Sequence, residues 1–341
     1  MKNLILAIES SCDDSSIAVI DKENFECLFH KKISQELEHA KFGGVVPELA
    51  ARLHTTALPQ ILEQCKGYFD ELCAVAVTNE PGLSVSLLGG VTMAKVLSMA
   101  LRVPLIAVNH LVGHIYSLFL TEKPCFDMGV LLVSGGHTML VKVDEKGFLE
   151  VLANTGDDSF GESFDKVAKM LGLGYPGGSL IENLAQSASE KNLHFPVPLL
   201  HSKELAFSFS GLKNAVRVQI NKHEALNSAQ NLSENEKSEI AFAFEEAAIA
   251  HIVDKVSKLF KAHKFKHFGV VGGASANLKL RARVKALCDE FECELRLAPL
   301  EFCADNALMI ARAACGLYER GEFVGFEADI ISPKNKHFFC L

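Results

Sequence analysis

Tryptophan is absent from this chain of 341 residues, proline is sparse at 10, and charged residues make up only 22 %. With 49 % hydrophobic residues, that composition leaves no material for long disordered stretches. No apolar run reaches the roughly 18 residues that a membrane span needs. The opening Leu4-Ile5-Leu6-Ala7-Ile8 is too short for a signal-peptide core before acidic Glu9. The chain is therefore expected to be soluble, to stay in the cytoplasm and to have no membrane partner. Its ten Cys include no CxxC pair and lie mostly inside apolar runs. Zinc-knuckle and disulfide scaffolds are excluded, and reduced, buried thiols are expected.

Positive charge is also in short supply, with 34 Lys and Arg against 42 Asp and Glu for a net −8. At face value this argues against a nucleic-acid partner. The charge is unevenly spread, however. Residues 255–285 hold nine bases and no acid, so the window is +9 and the remainder of the chain −17. Two readings stay open for the window, a pair of solvated helix faces or a footprint for a phosphate backbone.

The length suits two domains, each able to bury its own core. Leu4 to Ile8, a polar turn with Asp13 and Asp14, and Ile17 to Ile20 read as a hairpin with a carboxylate-rich tip. Met128 to Val133, Ser134-Gly135-Gly136-His137-Thr138 and Met139 to Val143 repeat that pattern. A strand, Gly turn and helix occur at Cys73 to Thr78, Pro81-Gly82 and Ser84 to Leu101, and again at His267 to Val271, Gly272 to Asn277 and Leu278 to Cys288. Each half thus holds one hairpin and one strand–turn–helix unit, so the fold class is α/β with two similar domains facing a ligand cleft. Further helices are expected at Pro47 to Lys66, Phe164 to Leu171, Ser179 to Ser189, Leu212 to Ile220, Ser233 to Ala262 and Ala304 to Arg320. Ser233 with Glu236 offers a capping pair, and Leu193 to Ser210 reads as a surface loop.

His110 and His114 stand four apart, a spacing that puts both imidazoles on one helix face within reach of one metal ion. The metallopeptidase motif needs Glu after the first His, and Leu111 is there instead, which disfavours a peptidase. Two imidazoles usually want a carboxylate as well, and Asp305 is the candidate, with a helix N-cap as its plain alternative. Ser134 to Thr138 can bring backbone N–H groups up to an anion, or be simply a tight turn. Gly272 to Asn277 joins a buried strand to a helix N-terminus, but it has neither the Lys-Ser/Thr of a P-loop nor GxGxxG spacing. A nucleotide there would be held in another manner. Asp157, Asp158 and Glu162 suit a helix start, whereas Asp165 lies further in and suits ribose hydroxyls.

Taken in order, Ile8 to Asp14, Gly43 to Arg52, Pro81-Gly82-Leu83, His110 to His114, Leu132 to Thr138, Phe164-Asp165-Lys166, Tyr175 to Gly178, Phe207 to Lys213, Gly272 to Asn277 and Phe302 to Asn306 resemble the bacterial TsaD family. These are tRNA adenosine threonylcarbamoyltransferases, once labelled glycoprotein endopeptidases. The resemblance runs from residue 4 to about 320 and rests on the set rather than on one motif. It implies the actin-like, sugar-kinase-like (ASKHA) fold, two related RNase H-like domains around a nucleotide cleft. The first would be 1–109 with approximately 298–341, the second approximately 110–297 with helical insertions. It implies a divalent ion, iron ahead of zinc, on His110, His114 and Asp305. It implies adenylate contacts from Leu132, Val133, Ser134, Gly135, Gly136, Asp165, Gly178 and Asn277, and Asp13 nearest the reacting centre. Asn109 and Asp14 depart from the family's usual His and Glu at those positions.

The reaction so implied moves a threonylcarbamoyl group from threonylcarbamoyl-AMP to the exocyclic amine of the adenosine beside the anticodon, in tRNAs reading codons that begin with A. Its donor is already activated, so no Ser or Cys nucleophile is needed, and Asp13 would accept the amine proton or orient the metal and phosphate. Expected partners are tRNA, a TsaB-like paralogue, a TsaE-like ATPase and a TsaC-type enzyme supplying the adenylate. A kinase or ATPase of the same fold is the alternative, disfavoured because such relatives hold magnesium through carboxylates and water. The basic window adjoins the Asn277 turn and is expected to line the path of the tRNA backbone.

Overall fold

The computed structural model describes residues 2–226 and 232–327. Two units divide the chain, Met1–Phe126 with Glu145–Leu149 and Ala298–Leu341, and Asp127–Asp144 with Glu150–Leu297. The expected first domain thus extends past 109, because residues 110–126 pack within the first unit. The end of that expected domain, 328–341 with Cys340, lies outside the described residues.

In the first unit, β1 (Leu4–Glu9), β2 (Asp14–Asp21), β3 (Cys27–Ser34), β4 (Leu72–Glu80) and β5 (Leu105–Asn109) form one sheet in the order β3-β2-β1-β4-β5. β1 runs antiparallel to β2 and parallel to β4, and β4 runs parallel to β5. β1 is buried along its whole length, which explains its unbroken apolar sequence: a central strand covered on both faces has no solvent side to alternate with. α1 (Glu36–Ala40), α2 (Pro47–Gln64), α3 (Ser84–Leu101), α4 (His110–Tyr116) and the last described helix, α10 (Ala307–Glu319), belong to this unit. Among the described residues α3 alone is long and apolar enough to cross a membrane. It is a core helix instead, burying Leu87, Val91, Ala94 and Leu97 against the same cluster as β1 and β4.

In the second unit, β6 (Met128–Val133), β7 (Thr138–Val143), β8 (Leu149–Asn154), β9 (His267–Val271) and β10 (Glu294–Leu297) are ordered β10-β9-β6-β7-β8. Read from the other edge this is the order of the first sheet, with β6 antiparallel to β7, parallel to β9, and β9 parallel to β10. The duplication expected from the paired hairpins and Gly turns is therefore realised strand for strand. α5 (Phe160–Met170), α6 (Gly177–Gln186), α7 (Ser210–Leu226), α8 (Glu234–Ala262) and α9 (Leu278–Glu290) complete the unit around a Phe-rich core that includes Phe160, Phe164, Phe209 and Phe244. α8 begins in the capping box that the sequence offers, Ser233 accepting from the Glu236 N–H while the Glu236 carboxylate accepts from Ser233 N at 2.8 Å. The loop over Leu193 to Ser210 is held down from beneath, since Lys255 Nζ, fully buried, donates to Leu199 O at 2.8 Å.

β3, β8, β10 and α1 have no counterpart in the sequence reading. β3 and β10 are edge strands with mostly half-exposed residues, so neither unbroken apolar character nor clean alternation marks them.

Candidate functional site

Two of the candidate metal residues follow the carboxyl end of β5, and the third, Asp305, lies just before α10. β5 runs into α4, whose N-cap is Asn109: its Oδ1 accepts from Leu111 N at 2.9 Å and Val112 N at 3.3 Å. The departure at this position thus starts the helix that carries both imidazoles. Gly113 lets α4 approach α10, because a Cβ there would meet Ile310 Cδ1 at 2.6 Å. Asp305 does not cap α10. Asn306 does, accepting from Met309 N at 2.9 Å, so the Asp305 carboxylate is free to face the imidazoles.

Asp305 Oδ1 lies 3.4 Å from His110 Nε2 and 3.2 Å from His114 Nε2, and the three ligand atoms lie within 4.8 Å of one another. The His114 ring is buried with neither nitrogen in a hydrogen bond. An orphaned buried imidazole is unfavourable unless something else takes its lone pair. Two Nε2 atoms and one carboxylate converging on one point are a donor set that suits iron or zinc. Burial alone would raise the Asp305 carboxyl, but the charge of His110 and the contacts of both imidazoles hold it well below the usual carboxylate range. Burial alone would lower His110, but Asp305 and Glu9 carry it well above the ordinary imidazole value. Burial keeps His114 low. The His110 imidazole, held between two carboxylates, carries its Nε2 proton on the Asp305 side, where a metal cation can replace it.

Glu9, at the end of β1, escapes the sequence reading as a site residue. It is fully buried, its Oε2 lies 3.1 Å from His110 Nδ1, and its Oε1 accepts from Ser11 N at 2.6 Å. One acid after five apolar residues looks like an ordinary strand end, and its partner is 101 positions away.

Asp13 sits half-buried in the β1–β2 turn. That turn is pinned from both sides by one ring of α2: His54 Nε2 lies 2.9 Å from Cys12 O, and His54 Nδ1 lies 2.7 Å from Ser15 Oγ. Gly82 closes over it, since a Cβ there would meet Ser11 O at 2.6 Å. Asp14 differs from its neighbour by being tied to β3 through Lys32 at 2.9 Å. Burial pushes the Asp14 carboxyl up to about 6, against the pull of Lys32. The folded chain therefore keeps this proton where the unfolded chain has lost it, and the resulting stability fades as pH rises from about 4 through about 6. At neutral pH the ionised group is a burden of about 3 kcal/mol. Asp14→Asn is expected to raise urea stability at about pH 7.5 by about 1 to 3 kcal/mol, with the gain shrinking below about 1 kcal/mol by about pH 4. A gain independent of pH in paired urea titrations would overturn this.

In the second unit Leu132 to Gly136 and Asn277 lie at or after the carboxyl ends of the parallel strands β6 and β9, while Asp165 lies on α5 and Gly178 on α6. Leu132 and Val133 are core residues with fully buried side chains, so only their main chain is available to a ligand. The turn after them is held by Ser134 N donating to His137 O at 2.8 Å, and by Ser159 Oγ donating to Gly135 O at 2.7 Å. A Cβ added to Gly135, Gly136 or Gly178 would meet nothing within 4 Å, leaving their backbone open to an approaching group. Asp165 Oδ1 accepts from Gly177 N at 2.7 Å, which fixes α6 beside α5 and brings Gly178 next to that carboxylate. Gly272, at φ +94°, crosses behind Val133. The Asn277 side chain is already engaged, accepting from Leu280 N at 2.7 Å and donating to Glu245 Oε1 at 2.8 Å. It builds the turn rather than reaching out of it.

The clustered acids are structural in two cases. Asp157 accepts from Phe209 N at 2.8 Å, and Asp158 pairs with Lys166 at 2.6 Å and also with Lys213. The basic window is not an uncompensated strip either. Lys255 and Lys258 pair with Asp254, Lys279 with Glu245 and Glu246, Arg283 with Glu246 and Lys285 with Asp289, while Arg281 Nε donates to Ser275 O. Glu245 and Glu246 are brought to it by α8 packing on α9, whereas Asp254 and Asp289 flank it and pair within their own helices. Five of the nine bases in the window thus have an acidic partner within the unit.

Comparison with known proteins follows this geometry closely. The sequence profile of the family described as TsaD: tRNA N6-adenosine threonylcarbamoyltransferase matches residues 26–312. A protein named tRNA N6-adenosine threonylcarbamoyltransferase from Campylobacter jejuni subsp. doylei is 68 % identical over 338 residues, covering 99 % of both chains. The protein of the same name from Campylobacter curvus is 60 % identical, covering 98 % of this chain and 100 % of its own. Among solved structures, T. kodakarensis HypF superposes with a TM-score of 0.61 at 13 % identity over 94 % of this chain, which spans 48 % of HypF. Full-length HypF in its phosphate- and nucleotide-bound form gives 0.59 at 15 % over 97 %, the chain spanning 57 % of it. At that identity the likeness is one of fold.

Proposed function

Because the chain belongs to the tRNA N6-adenosine threonylcarbamoyltransferase family, we propose which of its residues carry out that acyl transfer. The enzyme forms N6-threonylcarbamoyladenosine in tRNA on an actin-like, sugar-kinase-like fold. The assignment is carried by one observation: within a full-length match at 68 % identity, His110, His114 and Asp305 converge with an orphaned buried imidazole among them.

In this reading His110, His114 and Asp305 hold one divalent ion, iron ahead of zinc, which when bound supplies positive charge to an oxygen of the threonylcarbamoyl-AMP donor. Gly135, Gly136 and Gly178 offer open backbone to the adenylate, with Leu132, Val133 and Ser134 fixing that backbone from the strand side. Asp165 accepts from a ribose hydroxyl, and Asn277 keeps the turn beside it in shape. Asp13, held by the His54 clamp and free of the Lys32 pair that occupies Asp14, takes the proton that the N6 amine gives up as its nitrogen bonds to the carbonyl carbon. AMP leaves with the electron pair of the broken anhydride bond. No covalent enzyme intermediate is required.

The enzyme works in the cytoplasm with a TsaB-like paralogue, a TsaE-like ATPase and a TsaC-type supplier of adenylate. Supporting a helical partner, α3 leaves Val85, Leu88, Val96 and Met99 exposed along one stripe. The test supplies threonine, bicarbonate, ATP, the TsaC-type enzyme and unmodified tRNA, with and without the other two proteins, and weighs the nucleosides released from the tRNA. Asp13→Asn is expected to lower turnover about a hundredfold or more while adenylate binding survives. Near-normal turnover would remove Asp13 as the base.

A further inference from the structure

The most demanding group in the first unit is the Glu9 carboxylate, fully buried and without a Lys or Arg partner among the described residues. A bare carboxylate in such a place is strongly unfavourable unless each oxygen is met by donors. Both are. Oε1 accepts from Ser11 N at 2.6 Å, and Oε2 accepts from Thr78 Oγ1 and faces His110 Nδ1 at 3.1 Å. The backbone N–H of Ser11 can only donate, so Glu9 is bound as an acceptor on that side. The Thr78 hydroxyl uses its single proton on the other. For the contact with His110 to be favourable, the proton must therefore lie on the imidazole Nδ1. Once a metal ion displaces the proton on Nε2, the atom facing Asp305, that nitrogen is left to present its lone pair.

We propose that Glu9 is a positioning residue for the metal centre: its carboxylate holds the proton on His110 Nδ1 and so fixes the ring, by tautomer and by rotation, with Nε2 toward the ion. The proposal rests on the assignment of His110, His114 and Asp305 as ligands. Orienting partners of this kind govern how tightly a histidine-bound metal is held. It also explains why β1 ends on an acid inside an otherwise apolar strand, and why Thr78 at the neighbouring strand end is buried with its hydroxyl aimed across the sheet.

The test uses the full chain. Wild type, Glu9→Gln and Asp305→Ala are stripped of metal, titrated with Zn2+ against a chromophoric chelator, and checked for cooperative thermal unfolding. Glutamine keeps the volume but has one acceptor, so its NH2 group must face either Ser11 N–H or the Thr78 and His110 donors. Glu9→Gln is expected to weaken Zn2+ binding about 10- to 100-fold while one ion per chain still binds at saturation. Affinity equal to wild type would overturn the proposal and leave the ligand assignment standing. A wild-type chain that binds no Zn2+, or an Asp305→Ala chain that binds it as tightly as wild type, would overturn the ligand assignment and the proposal with it. Should Glu9→Gln not fold, the Zn2+-loaded wild type decides by NMR. A slowly exchanging, downfield His110 Nδ1 proton is expected, and its absence overturns the proposal.

Discussion

Asp305→Asn is expected to empty the metal centre, cutting bound metal to below about a tenth of an ion per chain and threonylcarbamoyl transfer by about a hundredfold or more. The size of the effect follows from where this carboxylate stands. Its Oδ1 is the one atom that both His110 Nε2 and His114 Nε2 approach, at 3.4 and 3.2 Å, so in the proposed ligand set it would supply the negative charge. An amide of the same shape brings none. The fold should survive, because Asn306 and not Asp305 caps α10, and the Ala307 N–H is taken by Ser16 Oγ at 3.0 Å. Metal analysis, far-ultraviolet circular dichroism and nucleoside mass analysis on one preparation check all three parts. A variant that keeps its metal, or loses it without losing transfer, would separate this cluster from the chemistry.

Gly272→Ala should be the most damaging single methyl group in the second unit. At φ +94° and ψ 159° the residue sits in a region that only glycine occupies readily, and a Cβ would come 2.2 Å from Val133 O. Backbone meets backbone there, so neither side can rotate out of the way. Strain of about 1 to 3 kcal/mol adds to an overpacking penalty of similar size, giving a loss of about 2 to 6 kcal/mol. Against an ordinary stability of about 5 to 15 kcal/mol, that threatens the fold at 37 °C. Urea unfolding followed by far-ultraviolet circular dichroism measures it. A loss below about 1 kcal/mol would mean that β6 and the turn shift apart at little cost. Adenylate binding should weaken in step, because Val133 leads directly into the Ser134-Gly135-Gly136 turn.

What was legible in the sequence was whatever depends on neighbours along the chain. β6 and β9 keep the bounds their apolar runs suggest, and α3 keeps the bounds read from Ser84 to Leu101. The His110 and His114 pair was legible because helical spacing is a local rule, and Asp305 because a family order of motifs carried it. Glu9 was not, since nothing local distinguishes a buried orienting carboxylate from a polar strand end. The partners of the basic window were hidden for the same reason. Lys279 and Arg283 find Glu246 more than thirty positions earlier, and counting charge along the chain cannot register a partner that arrives only when α8 packs on α9. Asp305 shows the converse: its plain reading as a helix cap fails by one residue, because Asn306 takes that task.

The shared strand order of the two sheets also means that one structural slot has been furnished twice with opposite chemistry. The turn between β1 and β2 carries Asp13 and runs straight into Asp14 at the start of β2, whereas the turn between β6 and β7 carries Gly135 and Gly136 and no acid. A turn meant to receive a phosphate cannot keep fixed negative charge, and a turn meant to take up a proton cannot do without it. Under the roles proposed above, each copy serves one of these needs. Grafting the Gly135-Gly136 turn onto the first hairpin would remove Asp13, and with it the proposed base.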